Sequence, residues 1–285
     1  MNSIKMDGRL VANDILEELK TRVSVLKDMG VTPKLAIVAT STYQGESYIR
    51  SKTKACGRLG IDWTIHYILP DMAHSDVIDI INRLNADDSV HGIIVQLPID
   101  GYSNQAPYVH SILNAIAYEK DVDGLGMFNV AELWGEDFAY FEPCTPRGVV
   151  KLLKHYHGDL TGKHAVILGR SVLVGKPLAA MLLNENCTVT VCHSYSEKLM
   201  YHATNADILV TAMGNPNILT NLPHGLGALV DVSINRDPLG HLVGDVPKHL
   251  YNRFAYYTPV PGGVGPMTVA MLMENVVDAA ENSIL

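Results

Sequence analysis

Two segments of this 285-residue chain combine residue types suited to a phosphorylated or flat ligand. The first is Lys163–Pro177, KHAVILGRSVLVGKP. Its apolar run predicts a strand that ends at Gly169, and a helix that begins near Gly175–Pro177. Glycine lets backbone approach backbone or ligand closely, and N–H groups at a helix start attract a pyrophosphate. Proline suits the first helical turn. The G-x-G-x-x-G fingerprint is missing. A P-loop is excluded too, because five residues separate Gly169 from Gly175 and Pro177 stands where a Ser or Thr should be. A plain strand–helix turn without a ligand stays open. The second segment is Thr258–Thr268, TPVPGGVGPMT, with three prolines and three glycines running directly into a helix. Such a composition holds one backbone path while leaving it open to a flat ligand, so Pro261, Gly262 and Gly263 are expected to face one.

The strand after the glycine turn bears on the ligand. An NAD site places an acid about 20 residues on, to hold the ribose 2′-hydroxyl. Here that strand ends CTVTVCHSYS, with no acid. A carboxylate would repel a 2′-phosphate, whereas Ser194 with Arg170 nearby would bind one through a charge-assisted bond. NADP is therefore the expected cofactor. His193 reads equally as a solvated loop histidine. Arg50–Arg58 (RSKTKACGR) concentrates basic residues. It is either a solvated helix face or a site for an acidic small molecule.

The elements that must position these residues alternate. Helical spacing of Val11, Ile15, Leu19, Val23 and Leu26 predicts a helix over Leu10–Met29. Strands are expected at Lys34–Ala39, Ile61–Ile68 and Gly92–Leu97, closed by Pro98. Helices are expected at Gly45–Leu59, Asp76–Leu84 and Pro107–Ala117. This βαβ rhythm predicts an open parallel α/β sheet. Residues Asp100 to Pro146 are rich in turn formers, and the domain boundary is placed there. A linking helix at Arg147–Tyr156 follows. The pattern restarts with strands at Ala165–Leu168, Thr188–Val191, Ile208–Ala212 and Ala228–Val232, and a helix at Lys176–Leu183, as in a compact nucleotide-binding sheet. A methionine-rich buried helix, Pro266–Ala280, closes the chain.

Composition narrows the function classes. The chain is 47% hydrophobic and has no uninterrupted apolar stretch long enough to span a bilayer. Its N-terminus is charged throughout, without a signal-peptide core, which predicts a cytoplasmic protein. The net charge of −8 argues against nucleic acid as a partner. Four scattered cysteines without a C-x-x-C pair make a zinc site or disulfide framework improbable, so no metal is expected. Cys56 and Cys187 read as small core residues.

In this order, GIIVQLP, KDVDGL, GRSVLVGKP, CHS and TPVPGGVGPMTVAMLMEN resemble the motifs of the bifunctional methylenetetrahydrofolate dehydrogenase/cyclohydrolase family, over nearly the whole chain. The resemblance implies two α/β domains. One is an N-terminal folate and catalytic domain over residues 1–120, on which a C-terminal helix over 266–285 packs back. The other is a Rossmann-like NADP domain over 140–260. It implies oxidation of 5,10-methylenetetrahydrofolate with NADP, then hydrolysis to 10-formyltetrahydrofolate, in a cytoplasmic homodimer formed through the cofactor domain and serving purine biosynthesis. Tyr48 and Lys52 fall on the family's Tyr and Lys, four apart and so on one helix face. Gln96 falls on its Gln, with Leu97 beside it, and Asp121 on its folate-binding Asp. These implied catalytic and substrate contacts extend to Pro261, Gly262 and Gly263. Gly169, Arg170, Ser171, Ser194 and Ile234 fall on cofactor positions, to which the helix start at Gly175 is added. Lys52 would move the hydrolase proton if burial or neighbours lower its pKa. By residue type alone, Lys52 reads as a solvated lysine, Tyr48 as a core aromatic and Asp121 as a turn residue sooner than as site residues.

Three departures stand out against that pattern. Gly45 replaces a Ser near the lysine, Ser233 replaces a Gly beside the cofactor, and Gly126 stands where a bulkier residue is common. Gly45 motivates a second reading, a dehydrogenase with weak cyclohydrolase activity. A third is a folate- or nucleotide-binding protein without catalysis.

Overall fold

A computed structural model describes residues 3–40, 43–69, 71–99, 106–135, 140–216 and 218–284; the side chains of 43–45, 47, 106 and 107 lie outside the description. The chain forms two compact units: residues 14–144 with 269–285, and residues 1–13 with 145–268.

The elements follow one another as strand β1 (Ile4–Lys5), helix α1 (Gly8–Asp28), β2 (Lys34–Thr40), α2 (Tyr43–Leu59), β3 (Asp62–Ile68), α3 (His74–Asn85), β4 (Gly92–Val95), α4 (Ala106–Asn114) and α5 (Met127–Glu132). In the unit built from residues 14–144 and 269–285, the sheet order is β3-β2-β4, all parallel. KLAIVAT and GIIV are buried along nearly their whole length, as a strand covered on both faces must be. Edge strand β3 exposes Trp63 and Tyr67 instead. Val77, Ile81 and Leu84 of α3 pack with Ala36, Val38, Ile93, Val95 and Ile112. Asp76 accepts the Ala73 N–H at the start of α3 (2.9 Å), and Lys120 Nζ donates to the Asn85 and Asp87 carbonyls at its end. Helix charges and backbone ends are thus complemented at both termini.

The remaining elements are α6 (Cys144–His157), β5 (His164–Leu168), α7 (Gly175–Asn184), β6 (Thr188–Cys192), α8 (Leu199–Thr204), β7 (Ile208–Thr211), β8 (Leu226–Asp231), β9 (Asn235–Arg236), β10 (Leu242–Val243), a 3₁₀ turn (Lys248–Arg253), β11 (Phe254–Tyr257) and α9 (Val264–Asn282). The second unit holds a six-stranded sheet ordered β1-β11-β8-β7-β5-β6, in which every pairing is parallel. From β5 the chain steps to β6 on one side, then returns to β7 on the other. A nucleotide crevice opens beyond the strand ends at such a reversal. Val166, Leu168, Leu209, Leu229, Leu250 and Phe254 form this unit's core.

The predicted α/β class and its parallel sheets are present. The first thirteen residues, read from sequence with the N-terminal half, group instead with the second sheet, because Ile4 and Lys5 pair with Tyr256 and Tyr257. Residues 121–144 group with the first unit. A two-residue strand has no periodicity to read; only its partner makes it a strand. β11, FAYY, escaped for a related reason: it is short and half-buried. All four cysteines are buried, and none forms a disulfide among the described residues.

Candidate active site

Helix α2 and the end of β4 bring the predicted acid–base residues together. Gln96 continues the β4 ladder, donating its N–H to the Val38 carbonyl at 2.8 Å. Its side-chain amide donates to the Leu97 carbonyl at 2.8 Å, which turns Oε1 toward α2. Lys52 Nζ donates to that oxygen at 3.0 Å. Lys52 and Gln96 are both partly buried, and Leu97 is too. Tyr48, one turn earlier, is 49% exposed, so it is not a core aromatic. One turn later Cys56 is fully buried, and burial pushes its thiol up to about 12, so it is inert. Of the basic run, Arg50 and Lys54 are solvated and Arg58 pairs with Glu17 at 2.7 Å. Lys52 alone of these four turns inward. The side-chain surroundings of Gly45 lie outside the described residues.

Asp121 occupies a different environment from a ligand-facing one. It is 1% exposed. Its Oδ2 accepts the Gly126 N–H (2.8 Å) and the Asn129 side-chain amide (2.9 Å), and Oδ1 faces the Leu125 N–H at 3.4 Å. Burial raises its pKa to about 6, against the pull of those donors. Asn275 fixes the same turn by donating to the Val122 carbonyl at 2.8 Å. The carboxylate is thus spent on the KDVDG turn and the start of α5. Gly126 explains itself here, since a Cβ would press on Asp121 Oδ2. Asp123, two residues on, is partly exposed. Sequence reasoning missed Asn129 and Asn275, whose roles depend on partners far along the chain.

In the other unit the glycine turn is built as a backbone cradle. Gly169 has φ +131°, and a Cβ there would strike the Ala212 carbonyl. At Gly175 a Cβ would strike the Gly169 carbonyl. The predicted pyrophosphate donors at the helix start are occupied: Ser171 Oγ accepts the Val174 N–H (3.1 Å) and, more weakly, that of Gly175 (3.5 Å), and the Ser171 carbonyl accepts the Lys176 N–H (3.0 Å). Pro177 has none to give. Gly175 is buried and shapes the turn. Arg170 to Leu173 are exposed instead, and among the described residues their N–H groups take no internal partner. That exposed run fits an anionic group.

Beyond β6, Ser194 is exposed and Tyr195 is 81% exposed. The Arg170 guanidinium lies over the Tyr195 ring, 5.8 Å from its centroid. His193 is no idle loop residue: its N–H donates to Ser196 Oγ (2.9 Å) and its Nδ1 accepts the Tyr195 N–H (3.2 Å). Ile234 is 47% exposed after β8. Of the three ligand contacts expected in the proline–glycine loop, Pro261 is exposed, whereas Gly262 and Gly263 are buried, and Gly263 packs against Gly8. The Leu97–Pro98 and Val260–Pro261 bonds are cis. Among the described residues no group of three His, Cys, Asp or Glu is placed to hold a metal. Nor is any helix long and apolar enough to cross a membrane.

Two family models match the chain, one over each half of the sequence. Residues 6–123 match the tetrahydrofolate dehydrogenase/cyclohydrolase catalytic domain, and residues 143–284 match the NAD(P)-binding domain of the same name. The chain is 42% identical to the bifunctional protein FolD of Nitrosomonas eutropha, over 99% of this chain and 95% of that protein. The crystal structure of the bifunctional FolD enzyme of Campylobacter jejuni superposes with a TM-score of 0.94 at 42% identity, covering 99% of both chains. The Trypanosoma brucei methylenetetrahydrofolate dehydrogenase-cyclohydrolase, solved with NADP cofactor and inhibitor, gives 0.91 at 32% identity, over 100% of this chain and 99% of that one.

Proposed function

The chain belongs to the tetrahydrofolate dehydrogenase/cyclohydrolase family, and we propose that it oxidises 5,10-methylenetetrahydrofolate with NADP⁺ and hydrolyses the product, with the residues below dividing the work. The observation that carries the reading is the Lys52 Nζ to Gln96 Oε1 contact at 3.0 Å, a partly buried lysine amine held by a neutral amide. NADP⁺, when bound, supplies the hydride acceptor for the bridging methylene carbon. Orientation is then what the protein must contribute to the first step.

The second step needs proton transfer. Water adds to the methenyl carbon and gives up a proton to Lys52. The hydroxyl then loses its remaining proton to solvent as its oxygen becomes the carbonyl, the carbon–N5 bond breaks, and Lys52 returns a proton to N5. One proton is released overall, and the carbon is left as the N10-formyl group. Gln96 holds the amine in line, and Tyr48 stands on the same helix face toward solvent. Within KDVDG, Asp123 rather than Asp121 is the carboxylate for the pterin, because Asp121 is buried and its oxygens are occupied by its own turn. On the cofactor side, the exposed backbone from Arg170 to Leu173 takes the pyrophosphate, Arg170 and Ser194 the 2′-phosphate, and Ile234 an apolar face. Of Pro261, Gly262 and Gly263, Pro261 is the one available to ligand. A homodimer through the cofactor unit is supported by the place of β6 at the end of its sheet, unpaired on its outer edge among the described residues, and by its exposed Val191. A cytoplasmic enzyme feeding 10-formyl groups to purine synthesis is consistent with all of this.

The test is a spectrophotometric assay with methylenetetrahydrofolate and either NADP⁺ or NAD⁺. The expected result is steady NADPH formation, a preference for NADP⁺ and no accumulation of the methenyl compound. Methenyl accumulation would mark a dehydrogenase with weak cyclohydrolase activity. Absence of reduced cofactor with either nucleotide would leave only binding.

A further inference from the structure

One buried carboxylate ties together the loops that follow β7 and β8. Asp245, just after β10, is fully buried and accepts four hydrogen bonds. The donors are the Met213 N–H (2.8 Å), the Asn215 N–H (2.8 Å), the Ser233 hydroxyl (2.7 Å) and the Asn235 side-chain amide (3.0 Å). Ser233 Oγ in turn accepts the Gly214 N–H at 3.1 Å. Three consecutive N–H groups of the loop after β7 therefore converge on Asp245 and Ser233. A second acid carries the first: Asp231, at the end of β8, accepts the N–H groups of Asp245 (3.1 Å) and Val246 (2.9 Å).

Neither Ser233 nor Asp245 is open to solvent, at 8% and 0% exposure, so their reach to a ligand is through the backbone they hold. That backbone starts one residue after Ala212, whose carbonyl lies against the glycine turn and excludes a Cβ at Gly169. Strands β5 and β7 are neighbours, and the crevice opens beyond their ends. Ser194 and Tyr195 follow β6, on the other side of β5. A dinucleotide with its 2′-phosphate on the β6 side therefore extends its nicotinamide toward the β7 side.

We propose that Ser233 and Asp245 are positioning residues for the nicotinamide half of NADP⁺, holding Met213–Asn215 in the one backbone path that walls the crevice. The proposal rests on the cofactor reading above, in which Arg170 and Ser194 take the opposite end. A charged acceptor shared by four donors is a strong, directional anchor. Removing the Ser233 hydroxyl leaves the Gly214 N–H and one Asp245 oxygen short of a partner, a cost larger than that of a plain hydrogen bond.

The test measures binding as well as turnover. Ser233→Ala, Ser233→Thr, Asp245→Asn and Arg170→Ala are titrated calorimetrically with NADP⁺ and with adenosine 2′,5′-bisphosphate, a probe of the adenosine half alone. Hydrolysis of prepared methenyltetrahydrofolate without cofactor is the control. Ser233→Ala should raise the Kd and KM for NADP⁺ about five- to tenfold. It should leave adenosine bisphosphate binding and hydrolysis unchanged, and Ser233→Thr should stay within about twofold of the parent. Asp245→Asn should act in the same direction and more strongly; should it fail to fold, the Ser233 pair decides. Unaltered NADP⁺ affinity in Ser233→Ala overturns the proposal. So does equal weakening of both probes, or a parallel fall of both activities, since either marks a merely structural role. Arg170→Ala should weaken both probes. If it weakens neither, the cofactor reading fails, and that failure is distinct from any result at Ser233.

Discussion

Asp121 and Asp245 belong to different compact units, and both are buried carboxylates that hold a turn by accepting backbone N–H groups. The surfaces they support differ in kind. Around Asp121 and β4, the groups offered to a ligand are side chains with exchangeable protons, Lys52 held by Gln96. Around Asp245 and Gly169, the offer is mostly backbone, the exposed run from Arg170 to Leu173 and the loop from Met213 to Asn215. Moving a proton requires an atom that titrates. Holding a pyrophosphate requires N–H groups in a shaped turn. Single side-chain changes should therefore damage the first region steeply and the second by degrees.

The largest effect is expected at Lys52. Lys52→Met should slow hydrolysis of prepared methenyltetrahydrofolate by at least about 10²-fold, the lower end for a general acid–base group. NADP⁺ affinity, measured separately by titration, should stay within about twofold. Hydrolysis at the parent rate would remove Lys52 from the proton path and collapse the contrast between the two regions.

Next comes the pair Asp121 and Asp123, which should separate stability from binding. Asp121→Ala leaves several buried donors unpaired and should cost about 2–4 kcal/mol in denaturant unfolding. Asp123→Ala should leave the unfolding midpoint in place and raise the folate KM about tenfold or more. The reverse assignment of effects would return Asp121 to the ligand. The pH profile adds a sharper mark. The folded pKa of Asp121 is raised to about 6 by burial, above its ordinary 3.8. Its contribution to stability is therefore fully present below about pH 4 and is lost as pH rises through about 6, by up to roughly 3 kcal/mol. Asp231, also raised to about 6 by burial, acts with the same sign. Asp121→Asn should flatten the stability slope between pH 4 and 7 by about half in urea titrations, leaving the Asp231 share.

Arg170→Ala should cut the preference for NADP⁺ over NAD⁺ about tenfold, the scale of one charge-assisted contact. Steady-state kinetics with both cofactors reads it directly, and an unchanged ratio would detach Arg170 from the 2′-phosphate. The smallest effect belongs to Tyr195, whose ring braces that guanidinium. An exposed cation–π contact is worth about 0.5–1 kcal/mol, so Tyr195→Ala should raise the NADP⁺ KM only two- to fivefold, by that same scale. Tyr195→Phe keeps the ring and should change little.

Several signals of these arrangements were open to reading and were missed. Asp231 interrupts the apolar run LGALVD, and an acid inside a buried strand must find donors. Asp245 stands likewise in the short stretch VGDV. Tyr195 could have been noticed beside Ser194, yet nothing in CHSYS says that Arg170 lies over its ring.

What the amino-acid order determined on its own was local. KLAIVA, GIIV and HAVIL are apolar runs of strand length, and the helical spacing of Tyr48 and Lys52 puts both on one face whatever surrounds them. The order of five motifs carried the family, because coincidence at that many ordered positions is improbable. Tertiary structure alone decided which groups were free to act. It spent Asp121 on its own turn and left Asp123 partly exposed. It occupied the N–H of Gly175 with Ser171, and it joined Ile4 and Lys5 to a strand some 250 residues away. The reason is physical. A residue's type states which protons and lone pairs it owns, but burial and prior occupation decide their use, and both are set by atoms distant along the chain.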